Sequence, residues 1–302
     1  MTAAAPYRCS LSSRTLEESP AGTASTVRAF VLLEEPGPWG VDATRDSRLP
    51  EEVRTHLRAL TRSGVRPLLV RRPGSRAAEE TQLFAATGGD LWRTSLADVR
   101  DVLDLDLTGL RQGQVPPPLS PTDEPVFLVC THGRHDACCA EWGRPLAAAM
   151  TAAAPDLAWE VSHIGGDRFA PNLLVLPEGL YYGRLEPARA DAFVAEHLAG
   201  RLDLEHLRGR SAFPFAVQAA EIHLRRHLDD RRLAPYRLVR HERDQRLDGT
   251  TDTTAVFDVD GAHWEARVRS HPGPAHRLTC RAEREEAAPV HELLGLTDLD
   301  AA

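Results

Sequence analysis

Two short loops concentrate the side chains able to hold a soft metal. The first closes an apolar run, Phe127-Leu128-Val129-Cys130-Thr131-His132-Gly133-Arg134-His135-Asp136-Ala137-Cys138-Cys139, and the second is Ser162-His163-Ile164-Gly165-Gly166-Asp167. Thiolates hold iron in iron–sulfur clusters, and histidine replaces some of them where a higher reduction potential is wanted. Two thiolates and an imidazole within about thirty-five residues exceed what composition supplies in a chain with five cysteines, and the pattern reads as an iron–sulfur site. A cysteine at the start of a helix meets unpaired N–H groups and partial positive charge, which favour thiolate over thiol. Gly165 and Gly166 are expected to let bare backbone approach a bulky centre and donate N–H groups to sulfur.

Strands and helices must carry these loops. Val126–Val129 and Ala158–Val161 read as buried strands around a helix over Ala137–Ala153, followed by a hairpin of Asn172–Leu176 and Leu180–Arg184 through Pro177-Glu178-Gly179, and a helix over Pro187–Leu198. The first half predicts a strand at Val27–Glu34, a helix at Leu49–Ser63, strands at Val65–Val70, Thr81–Ala85 and Asp90–Thr94, and a helix from Ser95 towards Leu103. Both halves thus run strand, helix, strand, strand, strand, helix, a thioredoxin-like order that hints at a pseudo-duplicated pair of βαβββα units in an α/β (α+β) fold. The expected segments are a flexible lead-in over 1–24, an N-terminal α/β unit over 25–111, a proline-rich linker over 112–123, a thioredoxin-like unit over 124–202 and a small α+β extension over 203–302. For the extension, a helix at Phe215–Leu228, strands at Thr254–Val259, His263–Arg269 and Arg277–Arg281, and a turn at Asp260-Gly261 are predicted.

Composition narrows the function classes. The chain has 302 residues, long enough for about two domains, with 42% hydrophobic and 26% charged residues. It has no run of about eighteen apolar residues to span a membrane, and Met1 to Ser13 lacks a cationic segment followed by an apolar stretch, so a cytoplasmic protein is expected. Five cysteines at 9, 130, 138, 139 and 280 form no disulfide framework, and a reducing compartment directs them to metal or redox chemistry. A net charge of -8 argues against nucleic acid as a partner. Every one of the 36 Lys+Arg residues is arginine, which suggests a GC-rich bacterial genome and carries no mechanism.

The two loops, with Gly22-Thr23-Ala24, Glu35-Pro36-Gly37-Pro38-Trp39-Gly40, Arg72-Pro73-Gly74 and Gln218-Ala219-Ala220-Glu221, resemble the sucrase/ferredoxin-like family along the whole chain. The resemblance implies a thioredoxin-like domain holding a [2Fe–2S] cluster. In the family's pattern the ligands are two cysteines with eight residues between them and two histidines with three between; Cys130, Cys139 and His163 match it, and Asp167 stands where the second histidine would be. A carboxylate is a harder ligand than imidazole but can bind ferric iron, so Asp167 is the expected fourth ligand and Cys138 its rival. The implied function is one-electron transfer with a redox partner protein, at a potential above that of all-cysteine ferredoxins. Two other readings use the same residues: a thiol–disulfide oxidoreductase built on Cys138, Cys139 or Cys130, and a structural zinc site. No paired-carboxylate motif supports sugar hydrolysis. Around the site, His132, Gly165 and Gly166 are expected to line the ligands, although His132 and His135 also fit loop-surface positions. Arg134 and Arg168 could offset negative charge, Cys9 and Cys280 read as small buried hydrophobes, Pro171 as a trans turn proline, Trp39 as an aromatic plug, and Glu221–Arg232 as a solvated helix face.

Overall fold

Short apolar runs bounded by turn residues form the centre of a ten-stranded sheet. The computed structural model describes residues 6–74, 80–234 and 236–301; residues 1–5 of the expected lead-in, and 75–79, 235 and 302, lie outside the described residues. In chain order the strands are β1 (Ala29–Glu34), β2 (Val65–Arg71), β3 (Thr81–Thr87), β4 (Asp90–Leu96), β5 (Ser120–Thr122), β6 (Val126–Cys130), β7 (Ala158–Val161), β8 (Asn172–Leu176), β9 (Leu180–Gly183) and β10 (Leu207–Arg210). Across the sheet they stand as β10-β9-β8-β6-β7-β2-β1-β3-β4-β5. The helices are α1 (Cys9–Thr15), α2 (Ala43–Asp46), α3 (Glu51–Leu60), α4 (Ala137–Ala153), α5 (Ala190–Leu198) and α6 (Phe215–His227).

One pairing pattern occurs twice. In β2-β1-β3-β4 and again in β7-β6-β8-β9 the first two strands are parallel and the next two pairings are antiparallel. The two sets meet where β2 pairs antiparallel with β7, Val70 opposite Val161 and Arg71 opposite Glu160. Strands β1, β6 and β8 are buried at every residue, as strands covered on both faces must be. Alternation then divides their side chains between cores. Phe127 and Val129 join Leu146, Met150 and Phe193 of α4 and α5, while Val126, Leu128 and Cys130 face a cluster shared with Phe30, Leu32 and Trp159. Cys130 therefore closes a buried strand on the face that joins both halves.

Helix α4 is positioned by its own first turn and by one glycine. Asp136 caps it, accepting the N–H of Cys138 at 2.9 Å. Gly143 packs directly on the carbonyl of Cys130, and a Cβ there would overlap that oxygen. The helix can thus lie against the end of β6 and carry Cys139 back towards Cys130.

Several elements differ from the sequence expectations. The lead-in contains a helix in its described part: α1 spans Cys9–Thr15 and buries Cys9, Ser10 and Ser13. Its Ser/Thr-rich composition concealed a docked helix. Ser95 does not start a helix, because it continues β4 opposite Gln82; the capping pair Asp98 and Asp101 instead starts a 3-10 helix at Val99–Asp104. Part of the expected linker is the edge strand β5, paired with β4. The C-terminal third holds a second, four-stranded antiparallel sheet of β11 (Arg237–Gln245), β12 (Thr251–Val259), β13 (Ala262–His276) and β14 (Glu286–Asp298). Helix α6 packs Val217, Ala220 and Leu224 on Phe257, Ala266 and Val268 of this sheet. The expected strand at Arg277–Arg281 is a loop, and β11 and β14 were illegible because they are mostly exposed edge strands without hydrophobic alternation. The tract Glu221–Arg232 is not simply a solvated face either. Glu221 and Arg225 are buried as an ion pair at 2.9 Å, and the guanidinium also donates to the carbonyls of Arg232 and Ala234.

Candidate metal centre

Cys130 at the end of β6, Cys139 in the first turn of α4 and His163 after β7 bring one donor atom each within 4.8 Å of one another. Asp167 joins them, its Oδ1 lying 3.1 Å from Cys139 Sγ and 2.9 Å from His163 Nδ1. The His163 contact is an ion-pair distance without hydrogen-bond alignment, and Nδ1 is buried with no hydrogen-bond partner. An orphaned buried imidazole nitrogen beside two sulfurs suits a metal ligand.

The four side chains shift one another's protonation. The hydrogen bond from Cys139 holds Cys130 well below the usual thiol range, and contacts from His163 and the backbone N–H of His132 act the same way. The bond to Cys130 and burial hold Cys139 up as the protonated partner. Burial pulls His163 down, but Asp167 and Cys130 outweigh it and bring the imidazole up to about 9. Burial likewise pushes Asp167 up, and His163 outweighs it, leaving the carboxyl below its ordinary value. A metal bound here would displace the protons on Cys139 and His163.

Surrounding residues fix the second loop. His132 is buried rather than on the surface; its Nε2 donates to the carbonyl of Gly40 at 3.0 Å and its Nδ1 accepts the N–H of His163 at 3.2 Å. Only the neutral Nε2–H tautomer satisfies both contacts. Trp39 is indeed a plug, stacked edge-on against His132 and donating Nε1–H to the carbonyl of Glu35. His135 is the residue that sequence reasoning undervalued. Its ring stacks on His163 at 3.7 Å, and it offers a nitrogen near both His163 and Asp167. Arg134 points to solvent, while Arg168 is paired with Glu18 at 2.7 Å. The bond before Pro171 is cis rather than trans.

Gly165 and Gly166 serve a different purpose from the one expected. Both have positive φ, +98° and +80°, and the space a side chain would fill belongs to Ser25 Oγ at Gly165 and to the Arg208 guanidinium at Gly166. Arg208 is buried and donates to Gly165 O at 2.9 Å, Asn172 Oδ1 at 2.8 Å, Thr23 O at 2.6 Å and Thr23 Oγ1 at 3.1 Å. Burial lowers its pKa to about 10, opposed in part by the negative charge of Asp167 and Cys130. Nothing in the local sequence marks Arg208, which lies 43 positions from Gly165.

Cys138 turns away from this centre. Neighbouring helix residues point about 100° apart, so Cys139 faces Cys130 while Cys138 meets Cys280 at 3.3 Å. Asp167 and His135 therefore lie beside His163, and Cys138 does not.

These features describe a mixed α/β protein with a cysteine- and histidine-containing candidate metal centre at the joint of its large sheet. The chain belongs to the sucrase/ferredoxin-like family, whose model matches residues 20–209; the Gln218–Glu221 segment lies beyond the matched range. It is similar to the thioredoxin-like [2Fe–2S] ferredoxin from Aquifex aeolicus, at 19% identity over 31% of this chain and 97% of that one, with a TM-score of 0.28. A single-cysteine variant of that ferredoxin matches at 22% identity over 25% of this chain and 88% of that one, with a TM-score of 0.23. No curated protein matches. Among the described residues no helix is long and apolar enough to cross a membrane.

Proposed function

We propose that this chain holds a [2Fe–2S] cluster through Cys130, Cys139 and His163, with Asp167 completing the set, and passes single electrons to and from a protein partner. The observation that carries the reading is the convergence of two sulfurs and a buried imidazole nitrogen on one carboxylate. A bound cluster would supply one-electron chemistry, at a potential that histidine ligation raises. The chain's own residues supply the frame. His132, held in one tautomer, fixes the backbone of His163, and Arg208 places a buried positive charge near Asp167 and Cys130. His163 keeps 23% of its side chain exposed, which makes its edge and the stacked His135 the side on which a redox partner would dock. All five cysteines are free, which agrees with a reducing, cytoplasmic setting.

The repeated strand pairing supports reading 25–111 and 124–202 as a pseudo-duplicated thioredoxin-like pair in which only the second copy has cysteines, and 203–302 as an appended unit. The same donors lie close enough for a single tetrahedral ion, so zinc is the second reading. The divergence of Cys138 and Cys139 weighs against their acting as a vicinal redox pair.

The test is an absorption spectrum with iron and acid-labile sulfide counts on protein purified without oxygen, for the native chain and for His163→Ala, Asp167→Ala and His135→Ala. Visible bands with about two iron and two sulfide per chain support the cluster, and altered bands in a variant identify its ligand. A colourless chain whose zinc is lost with Cys130→Ser supports zinc; a metal-free chain with dithiol activity refutes both.

A further inference from the structure

The thiols left out of the candidate centre form a second constellation. Cys9 at the start of α1, Cys138 at the start of α4, Cys280 in the loop between β13 and β14, and Asp136 bring one donor atom each within 4.8 Å of one another. Cys138 Sγ lies 3.3 Å from Cys280 Sγ, Cys280 Sγ lies 3.6 Å from Cys9 Sγ, and Cys9 Sγ lies 3.8 and 3.9 Å from the two carboxylate oxygens of Asp136. Ligands around a tetrahedral zinc ion, with sulfur at about 2.3 Å and oxygen at about 2.0 Å, stand roughly 3.5–3.8 Å apart. The Cys138–Cys280, Cys280–Cys9 and Cys9–Asp136 distances are close to that spacing, and the remaining pairs lie within 4.8 Å.

The surroundings also call for a cation. Cys9, Cys138 and Asp136 are buried, packed with Ala170, Trp142 and Tyr7. Among the described residues Asp136 has no ion-pair partner, though a buried carboxylate is costly without one. Its oxygens are aimed by two backbone donors, the N–H of Cys138 at 2.9 Å and that of Cys280 at 2.6 Å. Ser10 Oγ donates to Cys138 Sγ at 3.1 Å, the kind of outer contact that orients a metal-bound thiolate. The three cysteines come from segments 129 and 142 positions apart, too distant for spacing to reveal.

We infer that Cys9, Cys138, Cys280 and Asp136 form a closed, structural site for a thiophilic divalent cation of the zinc type, separate from the centre at Cys130, Cys139 and His163. The ion would clamp α1 and the β13–β14 loop to the first turn of α4. That turn also presents Cys139 to the other centre, so the clamp steadies one of its ligands. The inference is independent of which metal the first centre binds.

The experiment uses the full chain purified under reducing, oxygen-free conditions, with zinc measured by mass spectrometry and zinc-edge X-ray absorption. The expected result, read in Cys130→Ser so that zinc at the other centre does not count, is about one zinc per chain with three sulfurs and one oxygen in its shell, also retained in Cys130→Ser/His163→Ala and lost when Cys9→Ser or Cys280→Ser is added. Asp136→Asn, which keeps an oxygen for the helix cap, should weaken zinc retention against a chelator while the chain stays folded. X-ray absorption on the unsubstituted chain remains decisive if a serine variant fails to fold. A chain that binds no added zinc, a mass lower by two hydrogens marking a Cys138–Cys280 disulfide, or zinc that is lost with Cys130→Ser but kept with Cys280→Ser each overturns the proposal.

Discussion

Replacing Gly166 with alanine tests whether the second loop is held by Arg208. The residue has φ +80°, a conformation that costs an alanine roughly 1–2 kcal/mol, and its new Cβ would fall on the guanidinium of Arg208. Arg208 is enclosed and cannot move without giving up bonds to Thr23 O and Gly165 O, at about 1.5–3 kcal/mol for each hydrogen bond from a charged donor. The expected loss is therefore at least about 4 kcal/mol, or a fall of over about 1 M in the urea midpoint at a slope of about 3 kcal/mol per M. Gly165→Ala is the matched control. Its φ of +98° carries a similar backbone cost, but its Cβ meets only the Ser25 hydroxyl, which can rotate away at the cost of one bond to Ile164 O. It should lose roughly 2 kcal/mol less than Gly166→Ala. In an Arg208→Ala background, Gly166→Ala should cost only its backbone share, about 1–2 kcal/mol. Equal penalties at the two glycines, or a Gly166→Ala penalty unchanged by removing Arg208, would refute the account.

Gly143→Ala should cost more than about 3 kcal/mol and lower metal content, because its Cβ overlaps the Cys130 carbonyl, a backbone atom that only a shift of α4 can relieve; chemical denaturation with metal analysis reads both. His132→Phe keeps the ring against Trp39 but removes the acceptor for the His163 N–H, and about 1–3 kcal/mol of stability should go with it, measured by urea titration. Glu221→Ala leaves Arg225 as an uncompensated buried charge, a loss of about 3–5 kcal/mol, whereas surface Glu51→Ala should barely move the midpoint in the same assay. In the metal-free chain, His163 rises from 6.5 to about 9 on folding, so its contribution is fully present below pH 6.5 and is lost as pH rises towards 9. At about 1.4 kcal/mol per unit this is at most roughly 3.5 kcal/mol, reduced by its partial exposure. His163→Gln should flatten the stability profile between those pH values, and an unchanged profile would remove His163 as its source.

What the sequence made legible was local. Cys130 could be assigned to a strand end because five apolar residues precede or include it, and Cys139 to a helix start because a capping aspartate and an alanine-rich run frame it. The order of strands along both halves was read from the same short-range signals, while their pairing was not. Edge strands β11 and β14 lacked them, since strands exposed on most residues carry no alternation to read. Arg208, Ser25 and the α1 segment were invisible for another reason: each acts on a partner dozens to more than a hundred positions away.

The glycine pair shows how residue type and packing can assign one position to different neighbours. Glycine at 165 and 166 suggested close approach to a cofactor, a sound inference from residue type alone. The packing gives the space a side chain would fill to Ser25 and Arg208, so the lack of a Cβ at both glycines serves the support of the loop. Cys138 and Cys139 make the same point about direction. Adjacent in sequence, they compete for one centre on paper, but a helix sends neighbours about 100° apart. One sulfur goes to Cys130 and Asp167, the other to Cys9 and Cys280. Asp167 and His135 therefore stand on the Cys139 side of the helix, and Cys138 stands with the other group of donors.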